Sequence, residues 1–523
     1  MSVPVVALGL DATDPGLLSR WMDAGLLPHC ATLRREGSFG LVQNVRYYRT
    51  ETSWITFLTG LLPEQTGEWG HVTYDPRTYR VEERTAYAFD GAPPFYARLP
   101  GRKVCVVDPP LAQPVAGVDG LQVLGWGTEV NQCLRVSRPP GLMHELIERH
   151  GAHPLFETSA PQHTPDGDGD VLSYRIPSTY DVRALDELAD RLCTGAMRRG
   201  RILCDLLRRE PWDFFLGVFS ETHTASHLLW HLSQAHPLHD ALAARPRDDP
   251  LLRAFQAVDR AIGDVMAVLP KPAHVSLFSI YGIGANVLDL PSMAFLPEVL
   301  LRWSFPGERA LADGECDAPP SSHAHSGHWK DAIWQLASGA GRARLESPAA
   351  QEARGDPLAW QPANWFRPLW PRMKAFALPT YSEGLVRLNV VGRERDGVIA
   401  AADFGTTCDE VCALLRGLTD ARGGRPMVRD ILRTRDAAFD GDRMGAPADL
   451  IVLWQEAAPT DCIDSAQVGR VGPLPYFRSG GHSSQGFVLS RGPGVAAGSH
   501  APEIAAQDLT AAYRDRLGDH ARG

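Results

Sequence analysis

The residues best able to do chemistry fall in four short stretches of the chain. Asp213 to His227 reads as a buried strand that ends in Glu221 and delivers His223 and His227 four residues apart. That spacing puts both imidazoles on one helix face, where they can share a metal ion; a run of satisfied surface histidines is the plainer alternative. His231 continues the same spacing. Gly9-Leu10-Asp11-Ala12-Thr13-Asp14-Pro15 sets an acid at a strand end, ahead of a helix that Asp14 can cap and Pro15 can begin. Taken alone, Asp11 reads more readily as a turn residue than as a site acid.

Tyr48 to Gly60 predicts a helix of about three turns, with the Thr50 hydroxyl at its amino end and Gly60 as its stop. A helix start carries unpaired N–H groups and about half a positive charge, which suits a phosphate and eases the formation of an attacking alkoxide. Thr50 acting only as an N-cap is the competing reading. Ser479-Gly480-Gly481-His482-Ser483-Ser484-Gln485-Gly486 surrounds a histidine with glycines, so the backbone there can approach an ion or anion closely; a lone histidine of this kind is more often structural.

Strand-length apolar runs alternate with longer segments of helical period, the pattern of a largely parallel sheet with helices on both faces. The predicted strands are 5–10, 103–107, 214–219, 274–279, 450–454 and 486–489, and the predicted helices include 15–36, 184–209 and 250–268. Asp11, Asp108, Glu221 and His223 follow strand ends, where open parallel sheets bind ligands, so residues far apart in the chain can converge. Two stretches leave this pattern: 111–180, rich in Pro and Gly, and 290–370, rich in Trp, Pro, Ala and His. The loop Thr164 to Asp170 begins like a calcium hand, but Val171 and Pro177 stand where the turn glycine and the bidentate glutamate belong.

The chain has 523 residues, is 44% hydrophobic and 22% charged, and carries a formal net charge of −10. Neither disorder nor a basic nucleic-acid footprint follows from those values. An acidic protein that handles an anionic substrate must supply positive charge locally, and a bound metal ion does so. No apolar stretch approaches the ~20 residues needed to span a membrane, and no basic leader opens the chain. The nine scattered cysteines lack paired metal spacing and read as reduced thiols, so a cytoplasmic location is expected.

Taken in order, these segments resemble the type I phosphodiesterase and nucleotide pyrophosphatase branch of the alkaline phosphatase superfamily. The resemblance runs through Leu27-Pro28-His29-Cys30-Ala31-Thr32-Leu33-Arg34-Arg35-Glu36-Gly37 and through Thr56-Phe57-Leu58-Thr59-Gly60 with Pro63 and Gly67. It continues at Lys374 to Phe376, Gly384 to Glu394 and Ala446 to Val452. It implies an alkaline phosphatase-like α/β core over 1–290 and 371–523, with the excursion at about 111–180 and a cap-like insert at 291–370. It also implies metal-dependent attack on a phosphoric mono- or diester or related ester, with Thr50, ten residues before Gly60, as nucleophile.

Members of that branch hold two metal ions, usually zinc. The resemblance maps one set of ligands onto His223, His227 and His482. The other set would be Asp11 plus an Asp-His pair, but here Ser279-Ile280-Tyr281-Gly282 puts Ile280 and Tyr281 in the pair's positions. Isoleucine cannot ligate and a neutral tyrosine ligates zinc poorly. One divalent ion per chain, most simply zinc, is therefore expected, with Tyr281 filling the vacated place and Asp11 accepting a hydrogen bond from it or from Thr50. His71 falls near a substrate-holding position of the family, and His323, His325 and His328 form a competing histidine cluster.

A small anionic ester is the expected partner, and the oligomeric state is not legible. A sulfatase is disfavoured because no Cys-x-Pro-x-Arg segment is present. The rival reading is a repurposed member of the superfamily, either a one-metal biosynthetic transferase or lyase or a non-catalytic binding protein.

Overall fold

The computed structural model describes the chain except for residues 1–2, 46–51, 71, 85, 88, 90, 128–131, 158–161, 164–169, 243–245, 312–313, 317–327, 338–343, 441–445 and 519–523. Thr50, His71, His323, His325 and most of the Asp-rich loop lie outside the described residues.

The strand Val5–Leu10 is buried along its whole length, as an apolar strand covered on both faces must be. Phe214–Phe219 lies parallel to it on one side and His274–Ser279 parallel on the other. Val104–Val107 and Gly120–Leu124 extend the parallel set beyond Phe214–Phe219. Gln485–Arg491 is antiparallel to His274–Ser279, and Ser38–Gln43 is antiparallel to Gln485–Arg491. Among the described residues the sheet has 12 strands, with a parallel centre joined on both sides by antiparallel pairings. Its helices include Val182–Arg209, capped by Asp181, and Pro250–Val268, capped by Asp249; each carboxylate accepts a first-turn N–H.

Three expectations are corrected. The helix expected over 15–36 is two helices, Pro15–Asp23 and Pro28–Glu36. Gly25 takes φ +73° between them and Pro28 starts the second, so the apolar period continues across a break in the backbone. Leu450–Trp454 is a strand of the expected bounds, but it belongs to a separate four-stranded antiparallel sheet with Ala375–Leu378, Gly384–Leu388 and Val428–Arg433. That sheet has its own apolar core, which includes Leu296, Trp365, Phe376 and Trp454 and so draws in residues of the 291–370 stretch. Finally, the cysteines are not all reduced, because Cys316 and Cys462 form a disulfide. The two are 146 residues apart, and only the tertiary fold brings them together. Among the described residues no helix is long and apolar enough to cross a membrane.

Candidate active site

Three histidines from two distant parts of the chain meet at the carboxyl end of the parallel strands. The helix Glu221–Ser233 follows directly on Phe219 and carries His223 and His227 on one face. His482 comes from the strand Gly480–Ser483, which pairs antiparallel with Gly282–Ala285, the ribbon that leaves the end of His274–Ser279. Gly480 is required here, since a Cβ at that position would lie 2.0 Å from the Ser226 carbonyl oxygen. This close approach lets the His227 Nδ1–H donate to the Gly480 carbonyl at 2.6 Å and the Ser479 N–H donate to the His227 carbonyl at 3.1 Å.

The three Nε2 atoms form a nearly equilateral triangle, with 2.9 Å between His223 and His482 and 3.1 Å from His227 to each of the others. All three rings are buried, between 2% and 4% exposed. Burial first, and then the Arg478 charge and the two neighbouring imidazoles, hold the His227 pKa well below its usual value. With Nδ1–H donated to Gly480, the neutral His227 ring turns a lone pair inward. Ring nitrogens 2.9–3.1 Å apart can share a proton as N–H···N hydrogen bonds or gather around a metal cation. Tetrahedral zinc ligands at ~2.0–2.1 Å would stand roughly 3.3 Å apart, close to the spacing seen. The residues therefore fit a divalent ion.

Asp11 and Tyr281 lie where the strand ends converge, and both are fully buried. The Asp11 Oδ1 accepts from the Trp54 indole N–H at 2.8 Å, and its carbonyl accepts from the Thr222 hydroxyl at 2.8 Å. The Tyr281 ring packs edge-on to His482, with centroids 4.9 Å apart, and Ile280 is buried beside it. The Ser279 hydroxyl accepts from the Thr13 N–H and donates to the Tyr281 carbonyl, which ties the first strand end to the Tyr281 loop. The helix expected from Thr50 is described from Thr52 to Thr59.

Asp108 and Glu221, strand-end candidates by position, serve the scaffold. The Arg199 guanidinium is 0% exposed and donates to both Glu221 oxygens at 2.9 and 3.0 Å, to Asp108 at 2.5 Å and to the Gly127 carbonyl at 2.6 Å. Burial works to raise the Glu221 pKa, but Arg199 and His153 outweigh it and hold the carboxylate below its usual range. Sequence reading missed Arg199, although a signal exists: it sits on the apolar stripe Leu192, Ala196, Leu203 and Leu206, where a lone arginine must find buried partners. His328, the described member of the competing cluster, caps the helix Trp329–Leu336 by accepting from the Lys330 N–H. Among the described residues, His223, His227 and His482 are the one group of ligating side chains gathered closely enough to hold a metal ion.

The family model for type I phosphodiesterase / nucleotide pyrophosphatase matches residues 5–302, more than half of the chain. The chain belongs to this family. It is thereby placed among the metal-dependent phosphoester hydrolases of the alkaline phosphatase superfamily.

Solved structures with a similar course include phosphonoacetate hydrolase from Sinorhizobium meliloti 1021 in complex with phosphonoformate. It is 13% identical, with 99% of this chain and 96% of that one covered and a TM-score of 0.49. Human ectonucleotide pyrophosphatase / phosphodiesterase 5 is 12% identical over 99% and 96% of the two chains, with a TM-score of 0.46. The inactive murine counterpart in complex with AMP is 10% identical over 100% and 96%, with a TM-score of 0.42. No curated protein sequence matches the chain.

Proposed function

We propose that this member of the family hydrolyses phosphoric mono- or diesters with one divalent ion, most simply zinc, held by His223, His227 and His482, and with Thr50 as nucleophile. The observation that carries this reading is the closed triangle of buried Nε2 atoms. When bound, the ion supplies Lewis acidity and an electropositive centre.

The protein's own residues do the rest. His227 stays neutral and is oriented by the Gly480 carbonyl. Thr50 lies two residues before the helix Thr52–Thr59, whose Trp54 is tied to Asp11, and the helix start favours an oxyanion next to it. A bond from the Thr50 oxygen to phosphorus replaces the bond to the leaving alcohol, which departs with a proton. Water then frees the phosphate and restores the threonine hydroxyl. Asp11 accepts a hydrogen bond from Thr50 or Tyr281, and His71 contacts the substrate. The 291–370 segment serves as a cap. Its Trp329 and Trp360 pack on Phe477, five residues before His482, at 4.9 and 5.2 Å.

Buried Ile280 and Tyr281 favour a second reading, in which a one-metal centre performs a transferase or lyase reaction or binds its ligand without turnover. Metal analysis combined with turnover of 4-nitrophenyl phosphate and bis(4-nitrophenyl) phosphate separates the two. One ion per chain, with turnover abolished in both Thr50→Ala and His227→Ala, is the result expected of the hydrolase. A tightly bound ion with no turnover supports the second reading, and two tightly held ions contradict the single-metal site. The compartment rests on the thiols: scattered free cysteines suit a reducing cytoplasm, whereas the Cys316–Cys462 bond suits an oxidising one. Counting titratable thiols in freshly lysed cells decides between them.

A further inference from the structure

The histidine series of the ligand helix runs one turn past the pair that faces the ion. His231 stands four residues after His227 on the helix Glu221–Ser233, yet it is not among the three side chains gathered closely enough to ligate. Its residue is 0% exposed, and its ring turns to the segment that delivers His482: Nδ1 is hydrogen-bonded to the Ser479 hydroxyl at 2.7 Å. His231 is held from behind as well, because the His239 Nδ1–H donates to the His231 carbonyl at 2.9 Å.

Ser479 is the junction of the elements that carry the ligands. It is fully buried, and each of its polar atoms has a partner. The N–H donates to the His227 carbonyl at 3.1 Å, and the carbonyl accepts at 2.9 Å from the N–H of Asn286, the residue after the strand Gly282–Ala285. The hydroxyl meets the His231 ring and also accepts the His231 backbone N–H at 3.3 Å. Gly480 follows with the carbonyl that takes the His227 Nδ1–H, and His482 comes three residues after Ser479.

Both ends of the Ser479–His231 bond therefore lie beside ligands, with His223 and His227 on the helix and His482 on the strand. Backbone bonds at His227 attach the strand to the helix at one level, and the side-chain bond attaches it again one turn further on. A second attachment opposes rotation about the first. Such a rotation would move the Gly480 carbonyl and the His482 ring together, away from the two helix-borne imidazoles.

We propose that His231, acting through the Ser479 hydroxyl, is a positioning residue of the metal centre that sets His482 and the Gly480 carbonyl against the helix-borne pair. The inference rests on the reading of the triad as a metal centre. It gives the third member of the four-residue series a role that its helix face alone does not.

The test uses the full chain and does not depend on turnover. Zinc affinity is measured by competition with a chromophoric chelator, and the visible spectrum of the cobalt(II)-loaded protein reports the ligand field. Loss of hydrogen bonds outside the ligands typically weakens metal binding roughly 10–100-fold. Ser479→Ala and His231→Leu are each expected to weaken zinc binding by about tenfold or more and to shift the cobalt bands. The double variant should match the weaker single one within about threefold, because the same bond is lost in all three. His231→Asn, whose amide reaches the place of Nδ1, should recover most of the affinity and the original spectrum.

Zinc affinity within about threefold of the unsubstituted protein, with unshifted cobalt bands, would overturn the proposal. So would fully additive losses in the double variant, or a His231→Asn protein no better than His231→Leu. Should His231→Leu fail to fold, Ser479→Ala, which removes a single oxygen, and His231→Asn decide the matter on the same two readouts. An unsubstituted protein that binds neither zinc nor cobalt sinks the reading of the triad and this inference with it, whereas normal binding in every variant sinks the inference alone.

Discussion

The indole N–H of Trp54 donates to the Oδ1 of Asp11 at 2.8 Å, joining the helix that follows Thr50 to the end of the first strand. Trp54 is 1% exposed and packs against Phe57 and Phe278, so its removal cannot be repaired by water. Trp54→Phe keeps a ring but leaves a buried carboxylate oxygen without this donor and opens a small cavity. It should cost about 2–4 kcal/mol in urea unfolding. If Asp11 acts next to Thr50, ester turnover falls further than the stability loss explains. An unfolding free energy unchanged within error would show that the bond does not matter.

Arg199 gathers Glu221, Asp108 and the Gly127 carbonyl in a fully buried setting, and Glu221 begins the helix that bears His223 and His227. Arg199→Met removes the charge that holds two buried carboxylates together. The expected loss is about 3–5 kcal/mol, since breaking a buried pair strands the partners. Zinc affinity should weaken with it, because the start of the ligand helix loses its anchor. A stable Arg199→Met protein with normal zinc binding would contradict this account.

Stability should fall in mild acid. Burial, with His231 and His239 nearby, lowers the His236 pKa to about 3 from the ordinary 6.5, and His236 packs on Tyr476. Between those values the unfolded chain holds a proton that the folded chain does not, so unfolding free energy rises with pH. The stabilisation is complete above about 6.5 and is lost as the pH drops, by up to about 1.4 kcal/mol per unit for this one group. Urea midpoints at pH 7.5 and 5.0 measure the effect. His236→Asn, which keeps a capping acceptor, should flatten the slope, and an equal slope in both proteins would exclude His236 as its source.

The Cys316–Cys462 bond closes a loop of 146 residues that joins the 291–370 stretch to the segment before His482. Loop entropy allows about 5 kcal/mol for a closure of that length. The double substitution Cys316→Ser with Cys462→Ser should approach that loss in guanidinium unfolding, and a reducing agent should reproduce it in the unsubstituted protein. Identical curves with and without reductant, together with a full count of free thiols, would show the bond to be absent.

What the amino-acid order determined by itself is local or periodic. Val5–Leu10 and Phe214–Phe219 were legible as near-continuous apolar runs, and His274–Ser279 as a shorter one broken by Ser276, because a strand buried on both faces is predominantly apolar. Their parallel centre follows from the helices between them, and the His223–His227 spacing announces a shared helix face. The loss of a second ligand pair is visible at Ile280 and Tyr281 as residue chemistry alone.

Tertiary structure decided whatever depends on contacts between remote residues, which no local pattern encodes. It placed His482 within 3.1 Å of both partners across more than 250 residues and turned Asp108 and Glu221 from apparent site acids into ligands of Arg199. It assigned Leu450–Trp454 to a second sheet, because an apolar strand reads the same whichever core receives it. It also paired two cysteines among nine, since a disulfide requires proximity and spacing in the chain does not provide it.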